Sequence, residues 1–329
     1  MNQEQALQGR VIEVRKNRFV LAYDEQELPA RLKGSFYEGE PASWPVVGDF
    51  VSFLPNPAGD AVILSVCERT SFLQRPDQAK IGVMQYMVAN ADYCFIVTAL
   101  DEDYSFNRIG RYVSIALQGG AVPVVILTKA DLCADAESFR RQVETLSDRV
   151  WVHTVSALCG TGLEELAEYF APGKTICLMG SSGAGKSTLI NTLAGEEIMK
   201  TGEVRSSDSK GRHTTTHRQL IRLKNGVSLI DTPGMREIGI AQSEEGVDRT
   251  FADILELEGR CRFRDCRHES EPGCAIKAAL KSGALSTERW NLYRSLSAEN
   301  TRNYAKKKAI SKLAKAMKKN KNKSTEYDP

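Results

Sequence analysis

The chain has 329 residues and a formal net charge of +2, with 42% hydrophobic and 26% charged residues. This length suffices for two or three domains, and the small net charge excludes a chain that binds nucleic acid through bulk charge alone. The N-terminus is polar, without an apolar signal core, and no apolar run approaches the roughly 20 residues of a membrane span. We therefore expect a cytoplasmic protein with no membrane partner.

Residues 9–68 consist of short alternating apolar segments separated by turn residues. They comprise a hairpin around Lys16–Asn17 and the segments Leu28–Leu32, Val46–Leu54 and Ala61–Val66. About five short strands in a region of this size are typical of a small β-barrel such as an OB-fold. Such barrels often bind oligonucleotides, but they also serve protein contacts or packing, and the strand pattern leaves both uses open.

From about residue 70 the pattern becomes an alternation of strands and helices, which predicts a parallel α/β sheet. The predicted strands are Ala91–Ala99, Pro123–Leu127, Val150–Val155, Thr175–Met179 and Val227–Ile230. The predicted helices are Asn107–Leu117, a segment from Gly162 to about Phe170, and Ser187–Leu193.

A phosphate-binding loop follows the predicted strand Thr175–Met179. The pattern G-x-x-x-x-G-K-[ST] is satisfied at every required position by Gly180, Ser181, Ser182, Gly183, Ala184, Gly185, Lys186 and Ser187, followed by Thr188. Glycines let the backbone N–H groups and the helix N-terminus approach a polyphosphate. We expect Lys186 to reach the β- and γ-phosphates and Ser187 to ligate Mg²⁺.

Three further elements follow predicted strands. Asp231-Thr232-Pro233-Gly234 matches the D-x-x-G element of GTPases, in which the aspartate holds Mg²⁺ and the glycine amide senses the γ-phosphate. Thr128-Lys129-Ala130-Asp131 resembles the guanine-reading N-K-x-D element, whose aspartate accepts from the ring N–H and the exocyclic amine. Ser156-Ala157-Leu158 resembles the S-A-x element that supports the guanine O6. The last two patterns are weak alone, but their position after strands strengthens them.

The order of these elements is unusual. In ordinary GTPases the base-reading elements follow the phosphate loop, whereas here they precede it. A circular permutation of the GTPase domain produces this order and leaves the sheet and site intact.

The C-terminal region contains a cluster of Cys261, Cys266, His268 and Cys274. Three thiolates and one imidazole form a closed, structural zinc set, although four unconnected polar residues remain the alternative. The other cysteines (Cys67, Cys94, Cys133, Cys159 and Cys177) are scattered among apolar neighbours, and we expect them to be core residues without disulfides.

Helices are predicted at Ala275–Lys281, Thr287–Ser297 and Arg302–Lys319. The last of these is strongly basic, which suits RNA phosphate, an anionic membrane or a solvated surface. Together with the barrel and the metal cluster, this pattern favours RNA.

These motifs together resemble the ribosome small-subunit-dependent GTPase A (RsgA/YjeQ) family. The markers are Gly180–Thr188, Gly211–Thr216, Asp231–Gly234 and Cys261–Cys274. The resemblance implies three domains: an RNA-binding OB-fold barrel (1–68), a circularly permuted GTPase (69–242) and a helical zinc-binding module with a basic tail (243–329).

The same resemblance implies an activity and a partner. The activity is hydrolysis of GTP to GDP and phosphate, and the partner is the small ribosomal subunit with its 16S rRNA, late in maturation. Hydrolysis would release the factor, which we expect to be a monomer. Thr128 stands where many GTPases have asparagine, so we expect one hydrogen bond that braces the base pocket to be weaker.

Met235 follows the D-x-x-G element where many GTPases have a glutamine that orients the attacking water. A thioether cannot do this. The resemblance points instead to His213 as the catalytic residue, with an exposed loop histidine as the alternative. Thr215, or its neighbour Thr214 or Thr216, would join Ser187 and Asp231 in ligating Mg²⁺.

Two other functions remain open at this stage. One is an ATPase built on the same phosphate loop. The other is an RNA-binding clamp whose nucleotide site acts mainly as a conformational switch.

Overall fold

The computed structural model of the protein describes residues 5–15, 18–38, 43–76, 84–199, 218–231, 244–298 and 301. The chain divides into two compact units, Met1–Gln74 with Tyr86–Ile238, and Arg75–Gln85 with Gly239–Pro329. The first unit holds the N-terminal strands and the α/β strands together. The finer division at residues 68 and 242 stays a prediction.

The N-terminal strands form a closed barrel, as the alternating pattern predicts. They are β1 (Leu7–Arg15), β2 (Arg18–Tyr23), β3 (Gln26–Leu32), β4 (Phe50–Leu54) and β5 (Ala61–Val66). Their order is β1-β2-β3-β5-β4, and β4 returns to pair with β1. Alternate residues point inward, and the interior is filled by side chains such as Phe19, Phe53 and Ile63, which are at most 1% exposed.

One predicted strand is shorter than expected, because Val46–Asp49 form a turn before β4. Gly48 has φ +96°, a left-handed conformation that interrupts an extended chain. The buried Asp49 carboxylate accepts a hydrogen bond of 2.8 Å from the Val46 amide. Arg69 donates to both oxygens of the same carboxylate, each at 2.8 Å. The turn is therefore held by a charge pair.

The α/β region follows the predicted alternation. After a separate two-stranded sheet of β6 (Phe72–Pro76) and β7 (Met84–Ala89), the elements are β8 (Tyr93–Ala99), α1 (Phe106–Gly119), β9 (Val122–Thr128), α2 (Ala136–Glu144), β10 (Trp151–Thr154), β11 (Thr175–Met179), α3 (Lys186–Ala194), β12 (Gln219–Arg222) and β13 (Ser228–Asp231). The strand order is β10-β9-β8-β11-β13-β12. All neighbours are parallel except β12, which is antiparallel to β13.

Several local expectations were wrong or missing. The segment from Gly162 to Phe170 is a 3-10 helix at Glu164–Phe170. Its buried residues, Leu166 and Tyr169, are three apart, which matches the three-residue turn of that helix. Helix α2 was not predicted, although Ala136, Phe139 and Val143 lie at helical spacing and Asp135 caps its N-terminus. Cys159 is exposed, contrary to the core position expected of it, whereas Cys94 and Cys177 are buried.

The barrel and the α/β sheet are joined within the first unit. Glu13 of β1 pairs with Gln219 of β12 in an antiparallel ladder. Arg10, also on β1, donates to the hydroxyl of Thr175 at 2.8 Å and to that of Ser228 at 3.3 Å. Burial lowers the pKa of Arg10 to about 10. Arg10 therefore connects the barrel to the starts of β11 and β13.

The second unit is helical. It contains α4 (Glu244–Thr250), α5 (Ala252–Gly259), α6 (Ala275–Ser282) and α7, which covers residues 287–298. The helices predicted at 275–281 and 287–297 are thus present, and the one predicted at 302–319 lies outside the described residues. Within the described ranges, no helix combines the length and apolar character needed to cross a bilayer.

The Asp49–Arg69 pair gives a stability prediction. Asp49 has a side chain that is 0% exposed and Arg69 one that is 16% exposed. Arg69→Met should lower the free energy of unfolding by about 3 kcal/mol, because it leaves a buried carboxylate without its cation. Urea denaturation measures this effect.

The matched control is Arg141→Met, which removes an exposed partner of Glu137. It should change the free energy of unfolding by less than about 0.5 kcal/mol. Equal losses in the two variants would contradict the role given to the buried pair.

Candidate nucleotide-binding site and metal cluster

The phosphate loop connects β11 to α3 at the carboxyl edge of the sheet. Gly180 has φ +139°, and a side chain at this position would collide with the backbone of Val97 in the neighbouring strand β8. Only glycine therefore allows the loop to leave β11 in this direction. The N-terminus of α3 follows directly, where backbone N–H groups and the helix dipole favour a phosphate.

Lys186 and the predicted magnesium ligands lie at this same edge. The Lys186 ammonium donates to the carbonyls of Gly180 at 2.9 Å and Ser181 at 2.5 Å. Ser187 occupies the first turn of α3. Asp231 ends β13 and is in register with Leu178 of β11, one residue before that strand ends. These positions fit the phosphate and magnesium roles expected of them.

The first base-reading element is tied to the phosphate loop by a side chain. Thr128 ends β9, and its hydroxyl donates to the carbonyl of Ala184 at 2.6 Å. Threonine at this position thus makes a short hydrogen bond to the loop. Beyond it, Lys129 adopts a left-handed backbone conformation (φ +58°), and the amide of Ala130 donates to Val155 at 3.2 Å.

Asp131 and Ser156 come together from separate strands. The hydroxyl of Ser156, which is 1% exposed, donates to Asp131 Oδ1 at 2.5 Å. The amide of Cys159 in turn donates to the Ser156 oxygen at 3.1 Å. These bonds orient the carboxylate that the sequence assigns to the guanine base. Ala157 follows Ser156 in the same turn.

Two carboxylates at this edge were not recognised from the sequence. Asp101 accepts from the Lys129 ammonium at 2.7 Å. Burial opposes ionisation of Asp101, but Lys129 and nearby backbone amides outweigh it and lower the pKa of this group. Asp103 accepts from the hydroxyl of Ser181 in the phosphate loop and pairs with Arg108 at 2.9 Å. The available signal was their position, directly after the strand that neighbours β11.

Three predicted site residues lie outside the described part of the chain. They are His213, Thr215 and Gly234. Their roles stay predictions.

The four predicted metal ligands converge in the second unit. The ligand atoms of Cys261, Cys266, His268 and Cys274 all lie within 4.8 Å of one another. His268 Nδ1 is 3.6 Å from the Cys261 sulfur and 3.4 Å from the Cys274 sulfur. Tetrahedral zinc with ordinary Zn–S and Zn–N bonds places sulfur and nitrogen about 3.5 Å apart, so the cluster fits this ion.

The surroundings of the cluster also suit a metal. Glu258 Oε1 lies 3.4 Å from His268 Nε2, so Nδ1 is the nitrogen left for the ion. Tyr293 donates to the other oxygen of Glu258 at 3.0 Å. Burial opposes ionisation of Cys261, but the amides of Ala275 and Ile276 at the start of α6 help lower the pKa of its thiol. A thiolate is the form that binds zinc.

A parallel sheet with a phosphate loop at its carboxyl edge defines a P-loop nucleotide hydrolase. The order of its strands along the chain, with β8, β9 and β10 before the phosphate strand β11, is that of a circularly permuted GTPase.

Known proteins identify the family. Residues 66–241 match the family model described as RsgA GTPase. The small ribosomal subunit biogenesis GTPase RsgA 2 of Listeria monocytogenes is 44% identical over 88% of this chain and 83% of the relative. The RsgA protein of Methanosarcina acetivorans is 43% identical over 78% and 69%. The chain belongs to the RsgA GTPase family and is a GTP hydrolase, an activity that uses Mg²⁺ with GTP.

Solved structures agree with this assignment. YjeQ from Thermotoga maritima superimposes with a TM-score of 0.66 at 27% identity, covering 90% of this chain and 99% of that one. YloQ, described as a circularly permuted GTPase, has the same fold, with a TM-score of 0.63 at 22% identity over 92% of this chain and 98% of that one. An ABC transporter model also matches residues 163–323. That match covers less than half of the chain and includes the phosphate loop, which P-loop hydrolases share.

The hydrogen bond from Thr128 to Ala184 gives a testable prediction. Thr128→Val keeps the side-chain shape but leaves the loop carbonyl without this donor. We expect GDP affinity to fall about three- to tenfold, because such a bond contributes about 0.5–1.5 kcal/mol. Titration with ribose-labelled fluorescent GDP measures this.

Thr145→Val is the control, since it removes a comparable bond of 2.7 Å to the Gln142 carbonyl at the end of α2. Its GDP affinity should equal that of the unmodified protein. If both variants bind GDP normally, the bond to Ala184 does not shape the site.

Proposed function

We propose that this protein hydrolyses GTP while bound to the small ribosomal subunit, late in the maturation of that subunit, and leaves after hydrolysis. The observation that carries the guanine-nucleotide part is the convergence of Asp131 with the phosphate loop at one edge of the sheet. The ribosomal part is supported by relatives that are named small ribosomal subunit biogenesis GTPases.

Within the site, each residue takes a role from its position. Lys186 contacts the β- and γ-phosphates, and Ser187 and Asp231 ligate Mg²⁺. Asp131 accepts from the two guanine donors, which adenine does not supply together, and Lys129 packs on the base. The carboxylate of Asp131 is held for this by Ser156.

The catalytic step is assigned to residues that the family pattern marks. His213 positions the attacking water or stabilises the transferred charge, since Met235 cannot, and Thr215 completes the Mg²⁺ ligands. Slow hydrolysis is expected until the small ribosomal subunit is bound.

The second unit supports RNA binding through a metal-held fold. We assign Cys261, Cys266, His268 and Cys274 to one structural zinc ion, which would hold α5 and α6 together. Arg260, Arg262, Arg264 and Arg267 lie between these ligands in the chain and supply positive charge for RNA phosphate. The barrel is the second RNA contact. We infer that loss of the γ-phosphate is transmitted from the D-x-x-G element to the zinc module, which follows it in the chain. This change weakens the binding of RNA.

Phosphate release tests the function directly. At one fixed salt concentration, release from GTP and ATP is measured with and without purified small ribosomal subunits. We expect a large stimulation by the subunits that is specific to GTP, because binding of the subunit is proposed to activate the catalytic step.

Lys186→Ala serves as the control for this experiment. It should abolish turnover and impair subunit maturation, since the lysine ammonium that contacts the phosphates is lost. A variant that matures subunits normally would favour the clamp function, and GTP turnover that subunits leave unchanged would contradict the ribosomal partner.

The zinc assignment predicts a metal content and its loss. The purified protein should hold one zinc ion per chain, and Cys266→Ser should lose it and the fold of the second unit, because structural zinc binding supplies folding free energy. Elemental analysis and circular dichroism measure both. Cys159→Ser, outside the cluster, should keep the metal, and full zinc occupancy in Cys266→Ser would rule out the assigned ligand set.

A further inference from the structure

The segment that leaves β8 lies between the two halves of the nucleotide site. In the sheet, β8 has β11 on one side, with Ile96 opposite Met179, and β9 on the other, with Ala99 opposite Thr128. Because parallel strands end at a common edge, the residues after β8 emerge between the phosphate loop and the base-reading element. We call Asp101–Ser105 the acidic connection.

Two residues of the acidic connection, Asp101 and Asp103, contact the site. Asp101 Oδ2 receives the Lys129 ammonium at 2.7 Å, while its Oδ1 accepts from the Asp103 amide at 2.9 Å. Asp103 accepts from the Ser181 hydroxyl of the phosphate loop. The Asp101 carboxylate therefore has a fixed orientation, and the connection that carries it is anchored to the loop.

The ion pair between Asp101 and Lys129 determines where the Lys129 side chain lies. The ammonium is at the far end of a flexible four-carbon chain, which loses rotamer freedom when both of its ends are fixed. The left-handed backbone of Lys129 sets the start of that chain, and Asp101 sets its end. A methylene chain held at both ends is an apolar surface of the kind that a purine ring packs against.

We propose that Asp101 is a positioning residue for nucleotide binding, which holds Lys129 as one wall of the base pocket. This inference rests on the proposed base-reading role of Lys129 and Asp131. It assigns Asp101 no contact with the nucleotide.

A purely electrostatic effect of Asp101 would change nucleotide affinity in the opposite direction. Its negative charge repels a polyphosphate, so loss of the charge alone would tighten nucleotide binding. The two side chains are about one-third exposed, at 33% for Lys129 and 32% for Asp101. Solvent screening at this exposure limits the bare ion pair to a small contribution to stability. The positioning role therefore predicts weaker binding with little change in the unfolding midpoint.

The test compares Asp101→Asn with Glu102→Gln, a neutralised exposed neighbour in the same connection. With ribose-labelled GDP, Asp101→Asn should bind about two- to fivefold more weakly, and KM for GTP should rise by the same factor with a smaller change in kcat. Glu102→Gln should match the unmodified protein. Affinity for inorganic pyrophosphate, measured by competition, should not fall, because pyrophosphate has no base to pack on Lys129.

Lys129→Met supplies the test of mechanism. In that background Asp101→Asn should change GDP affinity by less than about 1.5-fold, since contacting residues are non-additive. Asp101→Glu should restore part of the affinity. Unchanged or tighter GDP binding by Asp101→Asn, or a full effect in the Lys129→Met background, would overturn the inference.

Asp131→Asn separates this inference from the function on which it rests. It should move the binding preference from guanosine diphosphate to xanthosine diphosphate. Asp101→Asn in that background should weaken the binding of xanthosine diphosphate by the same factor by which it weakens GDP binding in the unmodified protein. If the preference moves and Asp101→Asn has no effect, the inference alone fails. If the preference does not move, the assigned base pocket fails, and the inference fails with it.

Discussion

The parallel pairing of β8 with β11 is the contact on which the nucleotide site depends. Phe95 and Leu178 lie opposite each other in this pair, and both are fully buried. Side chains alternate between the two faces of these strands, and both faces are packed. A one-residue shift of register would therefore place each side chain on the opposite face, against the wrong neighbours. The same pairing sets Gly180 against the backbone of Val97. The direction of the phosphate loop, and the place of the acidic connection beside it, follow from this register.

The site depends on which strand ends meet at one edge of the sheet, and not on their order along the chain. Thr128 and Ala184 are far apart in sequence, yet one hydrogen bond joins them because β9 and β11 flank the same strand. Circular permutation preserves these neighbours. It changes only the order in which the elements follow one another along the chain, so that β13 is followed in sequence by the metal-binding unit.

The sequence predicted those parts of the fold and site that local patterns mark. The barrel forms and Cys261, Cys266, His268 and Cys274 come together as the patterns predicted. The roles assigned to the phosphate loop, Asp131 and Ser156 stay predictions. Features that depend on distant partners were missed. The alternation from Val46 favoured a strand, but Arg69, distant in sequence, holds Asp49 in a turn. The helix α2 was missed for a different reason: its apolar face is limited to Ala136, Phe139 and Val143 among mostly polar residues. His213 and Gly234 fall outside the described residues, so their part of the site rests on pattern alone.

The residues that sequence reasoning missed share one physical role. Asp49, Asp101 and Glu258 each hold a nitrogen-bearing side chain, namely Arg69, Lys129 and His268. A lone carboxylate has no recognisable spacing, so only the fold reveals its partner. Burial then separates their consequences. Asp49 is fully buried, so its pair affects the stability of the whole unit. Asp101 is partly exposed, so its pair contributes little to folding and acts by restricting where one side chain can lie. Between Asp49 and Asp101, exposure of the carboxylate thus separates a pair that stabilises the fold from one that we propose positions a site residue.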